Sequence, residues 1–342
     1  MEACLIVTYR CNAKCYMCNT WQHPSKKDEE FTPELVDKLP DGLKFINITG
    51  GEPFIREDLD EIIERALKKT ERLVISNNGY FTDRVIKLAE KYGNRIGFRI
   101  SIEGLPAAND ELRGIKDGFD RGLRTLLTLQ GMGIKDIGFG MTVSDRNAKD
   151  MIELYRLANA MGLEFATATT HNSFYFHITD NALENPDAVA AEFEKIAAEL
   201  LKTSKLKNWF RAYFNMGLAN KVRGGKRPLP CEVGSDVFFM DPAGNILPCN
   251  GSDQPMIMGN LKEEDFDTIW QSDAARNVRE QVRCCTKECW MIGSAAPAMK
   301  KRIAVPLKWV AKHKFKMLKS KGQPICLDPI GGDTDADLCN RD

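Results

Sequence analysis

Cys11, Cys15 and Cys18 put three thiols within eight residues, in a CxxxCxxC run that no fourth cysteine follows nearby. Thiolates are ligands for iron–sulfur clusters and for zinc. A cubane cluster takes four cysteines, so three leave one iron open to a ligand from outside the chain. The competing reading is a zinc loop, yet zinc sites usually pair one CxxC with a second. A second cysteine set lies far downstream. Cys231 is followed by twelve residues, Gly244, four more residues and Cys249, and Cys285 and Cys289 come after a helical stretch around 266–282.

Other chemistry-bearing residues sit at the ends of short apolar runs. Gly50, Gly51, Glu52 and Pro53 directly follow Phe45–Thr49. Two glycines let a backbone approach a ligand closely, carbonyls and a carboxylate accept hydrogen bonds from an ammonium group, and proline stiffens the turn. Taken alone, this is also an ordinary glycine turn. Ser76 and Asn77 end a third run, before Asn78 and Gly79, and Ser101 and Glu103 close a fourth. Alternate strand residues share a side, which would put Ser101 and Glu103 together. Arg113 lies in the next loop, where a guanidinium can pair with a carboxylate or simply be solvated.

The elements that must carry these residues alternate. Strand candidates are Leu5–Tyr9, Phe45–Thr49, Leu73–Asn77, Ile96–Ile102, Ile137–Val143 and Glu164–Thr169, each short, rich in β-branched or aromatic residues and bounded by turn or charged residues. Between them, Leu59, Ile62, Ile63, Ala66 and Leu67 fall on one helix face, as do Met151, Leu154, Tyr155 and Ala158. Six βα units imply a parallel sheet with helices outside, either doubly wound or curled into a barrel, with the active site at the C-terminal strand ends. Asn172–Asn220 reads as helical. The loop Gly224–Pro230 separates it from the second cysteine region, where Val237–Pro248 reads as a β-hairpin that would bring Cys231 and Cys249 together.

The cysteine trio, the Gly50–Pro53 motif and the Cys231–Cys289 pattern, in that order, resemble the radical S-adenosylmethionine (SAM) superfamily with a twitch or SPASM auxiliary domain. The likeness covers about residues 3–295. It implies an α/β fold, a partial (β/α)6 barrel with a small β-hairpin and helix domain. The implied division is 1–205 barrel, 206–230 bridge, 231–295 auxiliary domain and 296–342 basic helix and tail. It implies SAM and two 4Fe-4S clusters as cofactors. Cys11, Cys15 and Cys18 would hold the SAM-binding cluster. Met17, Gly50, Gly51, Glu52, Pro53, Asn77, Ser101, Glu103, Arg113 and Val143 would line the SAM pocket. Met17 stands where the family often has an aromatic residue. Cys231, Cys249, Cys285 and Cys289 would hold one auxiliary cluster, Cys284 being an alternative to Cys285 and a four-cysteine zinc the competing occupant. The extra CxxC of a full SPASM domain is missing.

The activity implied is reductive cleavage of SAM to a 5′-deoxyadenosyl radical and hydrogen abstraction from a substrate. A one-electron reductant such as flavodoxin or ferredoxin would feed it. An auxiliary cluster that accepts a second electron makes it an oxidoreductase, dehydrogenating a small-molecule, carbohydrate or cell-envelope precursor. The alternatives are modification of a ribosomal peptide, epimerisation with a cysteine as hydrogen donor, and, in another class, a non-enzymatic electron-transfer or zinc protein.

The rest of the chain sets limits. Its 342 residues carry 48 basic and 48 acidic side chains, which gives no basic footprint for nucleic acid. No run of 18 apolar residues offers a membrane span, and no signal peptide is expected ahead of a motif this close to Met1. Eleven cysteines without a secretory signal argue for metal ligation and a cytoplasmic location. Lys300–Lys321 holds nine lysines and arginines and no acid. From Leu307 it suits an amphipathic helix, with Leu307, Val310, Ala311, Phe315 and Leu318 on one stripe and Lys308, Lys312, Lys316 and Lys319 on another. Such a helix either closes over the core or is drawn to an anionic membrane surface or a phosphate-bearing substrate. Cys326 and Cys339 belong to no motif.

Overall fold

A computed structural model describes residues 1–320 and 325–330 of the chain; Cys339 lies outside them. Six strands, β1 (Glu2–Ile6), β2 (Phe45–Thr49), β3 (Leu73–Asn77), β4 (Ile96–Ser101), β5 (Ile137–Val143) and β6 (Glu164–Thr169), pair in parallel in the order β6-β5-β4-β3-β2-β1. A strictly sequential order has no point where the winding reverses. Every crossover therefore falls on the same side, which makes a singly wound, barrel-type sheet instead of a doubly wound one. The barrel is partial. Past β1 the sheet continues into β7 (Val237–Met240), which is parallel to β1, then antiparallel β8 (Asn245–Leu247) and β9 (Gly259–Asn260). The expected hairpin is thus an extension of the barrel's own sheet.

Helices α1 (Leu59–Lys69), α2 (Thr82–Tyr92), α3 (Pro106–Arg113), α4 (Gly118–Gly131) and α5 (Met151–Ala160) link the strands. α1 buries Leu59, Ile62, Ile63 and Ala66, and α5 buries Met151, Leu154, Tyr155 and Ala158, the faces their spacing predicts. α6 (Pro186–Lys202) and α7 (Leu206–Val222) form a packed pair, followed by α8 (Phe266–Gln271), α9 (Asp273–Arg283), α10 (Ile292–Lys301) and α11 (Ala304–Lys319).

Four expectations are corrected. β1 runs Glu2–Ile6, not Leu5–Tyr9, because Thr8–Arg10 leave the ladder to meet the loop after β2. Residues 172–185 are an irregular loop rather than helix; α6 begins only at Pro186, where the Asn185 side chain accepts from the Ala188 N–H. The stretch 266–282 is two helices, split at Ser272, whose side chain caps α9 through the Ala275 N–H. In α11 the buried face is Pro306, Trp309, Val310 and His313, so Val310 leaves the predicted stripe while Leu307, Phe315 and Leu318 are exposed. Trp309 explains the difference: it packs on Tyr213 of α7 and so sets the rotation of the helix.

One contact ties the second cysteine region to α7. Trp290, next to Cys289, is fully buried, and its indole N–H donates to the Phe214 carbonyl at 2.9 Å. It fits because residue 217 is glycine, since a Cβ there would clash with the indole nitrogen at 2.1 Å. Gly217→Ala should therefore destabilise the protein by about 1–3 kcal/mol despite alanine's better helix propensity. The midpoint of urea unfolding measures this. An unchanged midpoint would show that Trp290 can repack.

Candidate active site at the strand ends

The loop bearing Cys11, Cys15 and Cys18 is held from three sides. On the first, the loop after β2 bonds to it through Gly51 N–H to Thr8 O (2.7 Å) and Glu52 N–H to Arg10 O (2.9 Å). Side chains at Gly50 or Gly51 would run into the Thr8 or Arg10 carbonyl. The glycine pair thus allows two backbones to touch, where the sequence predicted close approach to a ligand. On the second side, Lys14 N–H and Tyr16 N–H donate to the Arg113 and Leu112 carbonyls at 3.0 and 2.8 Å. Gly114, with φ of +55°, ends α3 where a Cβ would strike the Lys14 carbonyl. On the third, the irregular loop after β6 closes over: Asn19 N–H donates to Phe176 O (2.8 Å), Thr20 Oγ1 to Tyr175 O (3.1 Å) and Asn181 Nδ2 to Met17 O (3.1 Å).

Beneath the loop lies a buried polar network. Arg113 Nη1 donates to Glu103 Oε1 at 2.9 Å, and Glu103 Oε2 accepts the Thr142 N–H from β5 at 2.5 Å. Asn147 Nδ2 bonds the Glu103 and Thr142 carbonyls. Glu52 accepts the Phe54 and Asn78 N–H groups at 3.0 and 2.8 Å, and Asn78 Nδ2 donates to Asn12 Oδ1 at 2.7 Å. Burial pushes the Cys11 thiol up to about 12 and raises Cys15 and Cys18, while the Arg113 charge pulls all three down. Arg113 is therefore a cation whose charge acts on all three thiols.

Asn77 turns inward to cap Gly79 (2.9 Å), Met17 and Pro53 are buried, and Val143 packs fully inside the core at the end of β5. Ser101 is half-buried and ends β4, so Glu103 lies just beyond the strand. Cys231, Cys249, Cys285 and Cys289 are free thiols, and Cys284 is disulfide-bonded. A Cβ on Gly251, two residues after Cys249, would lie 3.8 Å from Cys289 Sγ. Cys249 feels the charge of Cys231, and Cys289 that of Cys249 and Cys285. Among the described residues no three His, Cys, Asp or Glu side chains converge on one point; cubane ligands bind separate irons and spread accordingly.

Sequence reasoning missed the aromatic loop after β6. Tyr175 is buried against Tyr9 and donates to Gly50 O at 2.7 Å, His177 stacks on His23 at 4.2 Å with φ of +49°, and His171 meets Phe176 edge-on. The signal was there as two histidines, two phenylalanines and a tyrosine within residues 171–177, masked by reading the segment as helix.

The radical SAM superfamily profile matches residues 5–158, and an iron-sulfur cluster-binding domain profile (SPASM) matches 231–290. A Fe-coproporphyrin III synthase from Methanosarcina barkeri is 37% identical over 162 residues, which span 44% of this chain and 39% of that protein. An AdoMet-dependent heme synthase from the same organism is 25% identical over 80% of this chain and 83% of its own. SuiB of Streptococcus suis, solved with S-adenosylmethionine and with precursor peptide SuiA, has the same fold. In the S-adenosylmethionine complex the TM-score is 0.62 at 17% identity, covering 81% of this chain and 67% of SuiB. The chain belongs to the radical SAM superfamily and carries a SPASM/twitch-type auxiliary iron–sulfur domain. It is an enzyme of that class, which uses SAM and iron–sulfur clusters.

The residues present fit those groups. Arg113 Nε and Asn12 Nδ2 are buried donors without a hydrogen-bond partner, beside a loop of three free thiols. Such donors await an acceptor such as a carboxylate.

Burial holds the Glu52 carboxyl at about 7, against an ordinary 4.5, with the Asn78 and Phe54 N–H bonds pulling it partly back. In that window the folded chain keeps a proton that the unfolded chain has lost. The group's contribution to stability is full below 4.5, falls as pH rises to about 7 and is level above it. Glu52→Gln should remove this slope, and it should cost about 1–3 kcal/mol by turning an amide NH2 toward a backbone N–H. Urea midpoints across the window read both effects.

Proposed function

We propose that this enzyme cleaves SAM reductively at a cluster held by Cys11, Cys15 and Cys18 and oxidises a small-molecule, carbohydrate or cell-envelope precursor. One auxiliary 4Fe-4S cluster on Cys231, Cys249, Cys285 and Cys289 would take the second electron. The observation that carries this reading is the cysteine loop pinned between the Gly50–Pro53 turn and the end of α3, with unpartnered buried donors beside it. A cluster bound there would supply the electron for reductive cleavage of the SAM sulfonium. The chain's residues do the rest. Arg113, anchored by Glu103, offers charge to a carboxylate; Asn12 offers a further N–H; Tyr175 and Phe176 cap the cysteine loop against water. Flavodoxin or ferredoxin would serve as reductant.

The shared sheet supports oxidation: β7 pairs with β1, so the auxiliary cysteines hold a fixed place relative to the SAM-side loop. The free state of Cys285, beside a disulfide-bonded Cys284, favours Cys285 as the ligand. The likeness to a heme synthase across most of both chains supports a small molecule. SuiB, solved with its precursor peptide, keeps a peptide substrate as the second reading.

Anaerobically reconstituted protein should hold about 8 iron atoms, as two cubanes require. Deuterium from a candidate substrate should pass irreversibly into 5′-deoxyadenosine with an oxidised product, and Ala at Cys11, Cys15 and Cys18 should abolish it. Deoxyadenosine from that triple variant would overturn the SAM-site assignment. Solvent deuterium in an unoxidised product would replace dehydrogenation by epimerisation.

We also propose that α11 rests on an anionic lipid surface. Among the described residues no helix is long and apolar enough to cross a membrane. Yet α11 exposes Leu307, Phe315 and Leu318 on one face, beside Lys308 and Lys319, in a 22-residue basic stretch without an acid. Phe315→Glu with Leu318→Glu should release the protein from phosphatidylserine liposomes, in a co-sedimentation assay, without lowering its unfolding midpoint. Equal binding by both proteins removes the idea.

A further inference from the structure

Arg227 is a buried cation in the second cysteine region that meets no counter-charge. It is only 8% exposed, yet its guanidinium forms no ion pair among the described residues, and every bond it makes goes to a neutral acceptor. Nε donates to the Leu229 carbonyl at 2.6 Å, Nη1 to the Cys289 carbonyl and to Ser294 Oγ at 3.1 Å, and Nη2 to the Ser294 carbonyl at 2.9 Å. Its Cζ lies 5.0 Å from the centre of the Trp290 ring. The acids beside the cysteines are engaged otherwise. Glu288 accepts the backbone N–H of Arg227, and Glu232 pairs with Lys301 and Arg302 at 2.7 and 2.6 Å. The bonds of Arg227 join two distant pieces of chain. Leu229 stands two residues before Cys231, and Pro228 and Pro230 on either side of it restrict the backbone between Arg227 and that cysteine. Cys289 is itself a bonded residue, and Ser294 lies in the first turn of α10. One planar fork thus holds the segment carrying Cys231 to the segment carrying Cys289.

Carbonyls and a hydroxyl can be met by a neutral donor, so the clamp by itself does not call for a charge. A buried charge is costly unless an anion completes it. We propose that Arg227 is a positioning residue for the auxiliary cluster, holding the Cys231 and Cys289 segments together and supplying a positive charge that raises the cluster's reduction potential. This rests on the reading of the second cysteine region as a cluster site. Four thiolates leave a cubane net negative, and reduction makes it more so, so a fixed cation on the ligand backbone favours the reduced state. A guanidinium keeps its proton at any working pH, so the charge is permanent. Such a cluster is a better acceptor for the electron that the proposed oxidation releases.

The test is a redox titration of the reconstituted holoprotein followed by electron paramagnetic resonance, without substrate or turnover. The auxiliary cluster's signal is the one that added SAM leaves unchanged, because SAM binds at the other cluster. Arg227→Met should make the auxiliary cluster harder to reduce by about tenfold or more in its reduction equilibrium, which is about 59 mV for one electron. Arg227→Lys keeps the charge and loses the fork, so its reduction equilibrium should stay within about threefold of the wild type. The urea midpoint should fall in both variants, since both lose bonds to the clamp. Iron content shows which clusters each variant holds. Loss of about four iron atoms from Arg227→Met, with Arg227→Lys intact, equally supports a requirement for charge. An unmoved potential in Arg227→Met, an equal shift in both variants, or loss of the cluster from both overturns the proposal, because each leaves Arg227 a structural clamp alone. A wild type with only about four iron atoms sinks the auxiliary cluster itself, and this role with it. A wild type with about eight and an unmoved potential in Arg227→Met sinks the role of Arg227 and leaves the proposed function standing.

Discussion

The buried pair of Arg113 and Glu103 is the constraint on which the rest of the site depends. Two charges taken out of water cost several kcal/mol each before their attraction is counted; the further bonds of Glu103 offset part of that, while Arg113 Nε stays unmet. Glu103 takes an N–H from β5, and Asn147 ties the Glu103 carbonyl to that of Thr142. The Arg113 carbonyl receives the Lys14 N–H of the cysteine loop. One ion pair thereby fixes the ends of β4 and β5 and the loop after β1 relative to each other. It also leaves a cation whose charge acts on all three thiols of the loop, which would become thiolates on holding a cluster. A hydrophobic pair of equal volume would pack as well and hold no charge for them.

The second constraint is the sheet. β1 is flanked by β2 on one side and β7 on the other, so the strand that launches the cysteine loop is also the seam to the auxiliary hairpin. Trp290, locked into the notch at Gly217, adds a second attachment. The two cysteine sets are therefore parts of one framework. The aromatic loop after β6 bridges them, bonded to the first set through Asn19 and Thr20 and to the second through Ser252.

Much of this was legible in the sequence, for identifiable reasons. β2, β3, β5 and β6 have the bounds their runs predict, since each is short, rich in β-branched or aromatic residues and closed by turn or charged residues. The hairpin was legible because Asp241–Gly244 carries turn chemistry; Gly244 has φ of +89° and the Asp241 carboxylate accepts the Asn245 N–H. β1 was misplaced because Val7–Tyr9 has strand composition yet spends its hydrogen bonds on the Gly51 loop. The tail stripe was misread because α11 has two apolar faces, and only tertiary contact with Tyr213 decides which is buried. Nothing in a linear pattern marks the loop at 171–177 and the loop after Cys249 as neighbours, because they come from two segments that the fold alone brings together.

That division has a physical origin. The motif residues legible from spacing are those that the family likeness assigns to the part of the reaction the class shares. In this chain many of them do so by holding backbone: Gly50 and Gly51 admit a neighbouring chain, and Glu52 spends both oxygens on N–H groups. Groups committed to such bonds are not free to choose a substrate. Choice falls to side chains whose hydrogen bonds the fold leaves unmade. A cosubstrate common to a class can be held by a repeated backbone scaffold. A particular substrate has to be met by unsatisfied polar atoms, whose cost is repaid only when that substrate arrives.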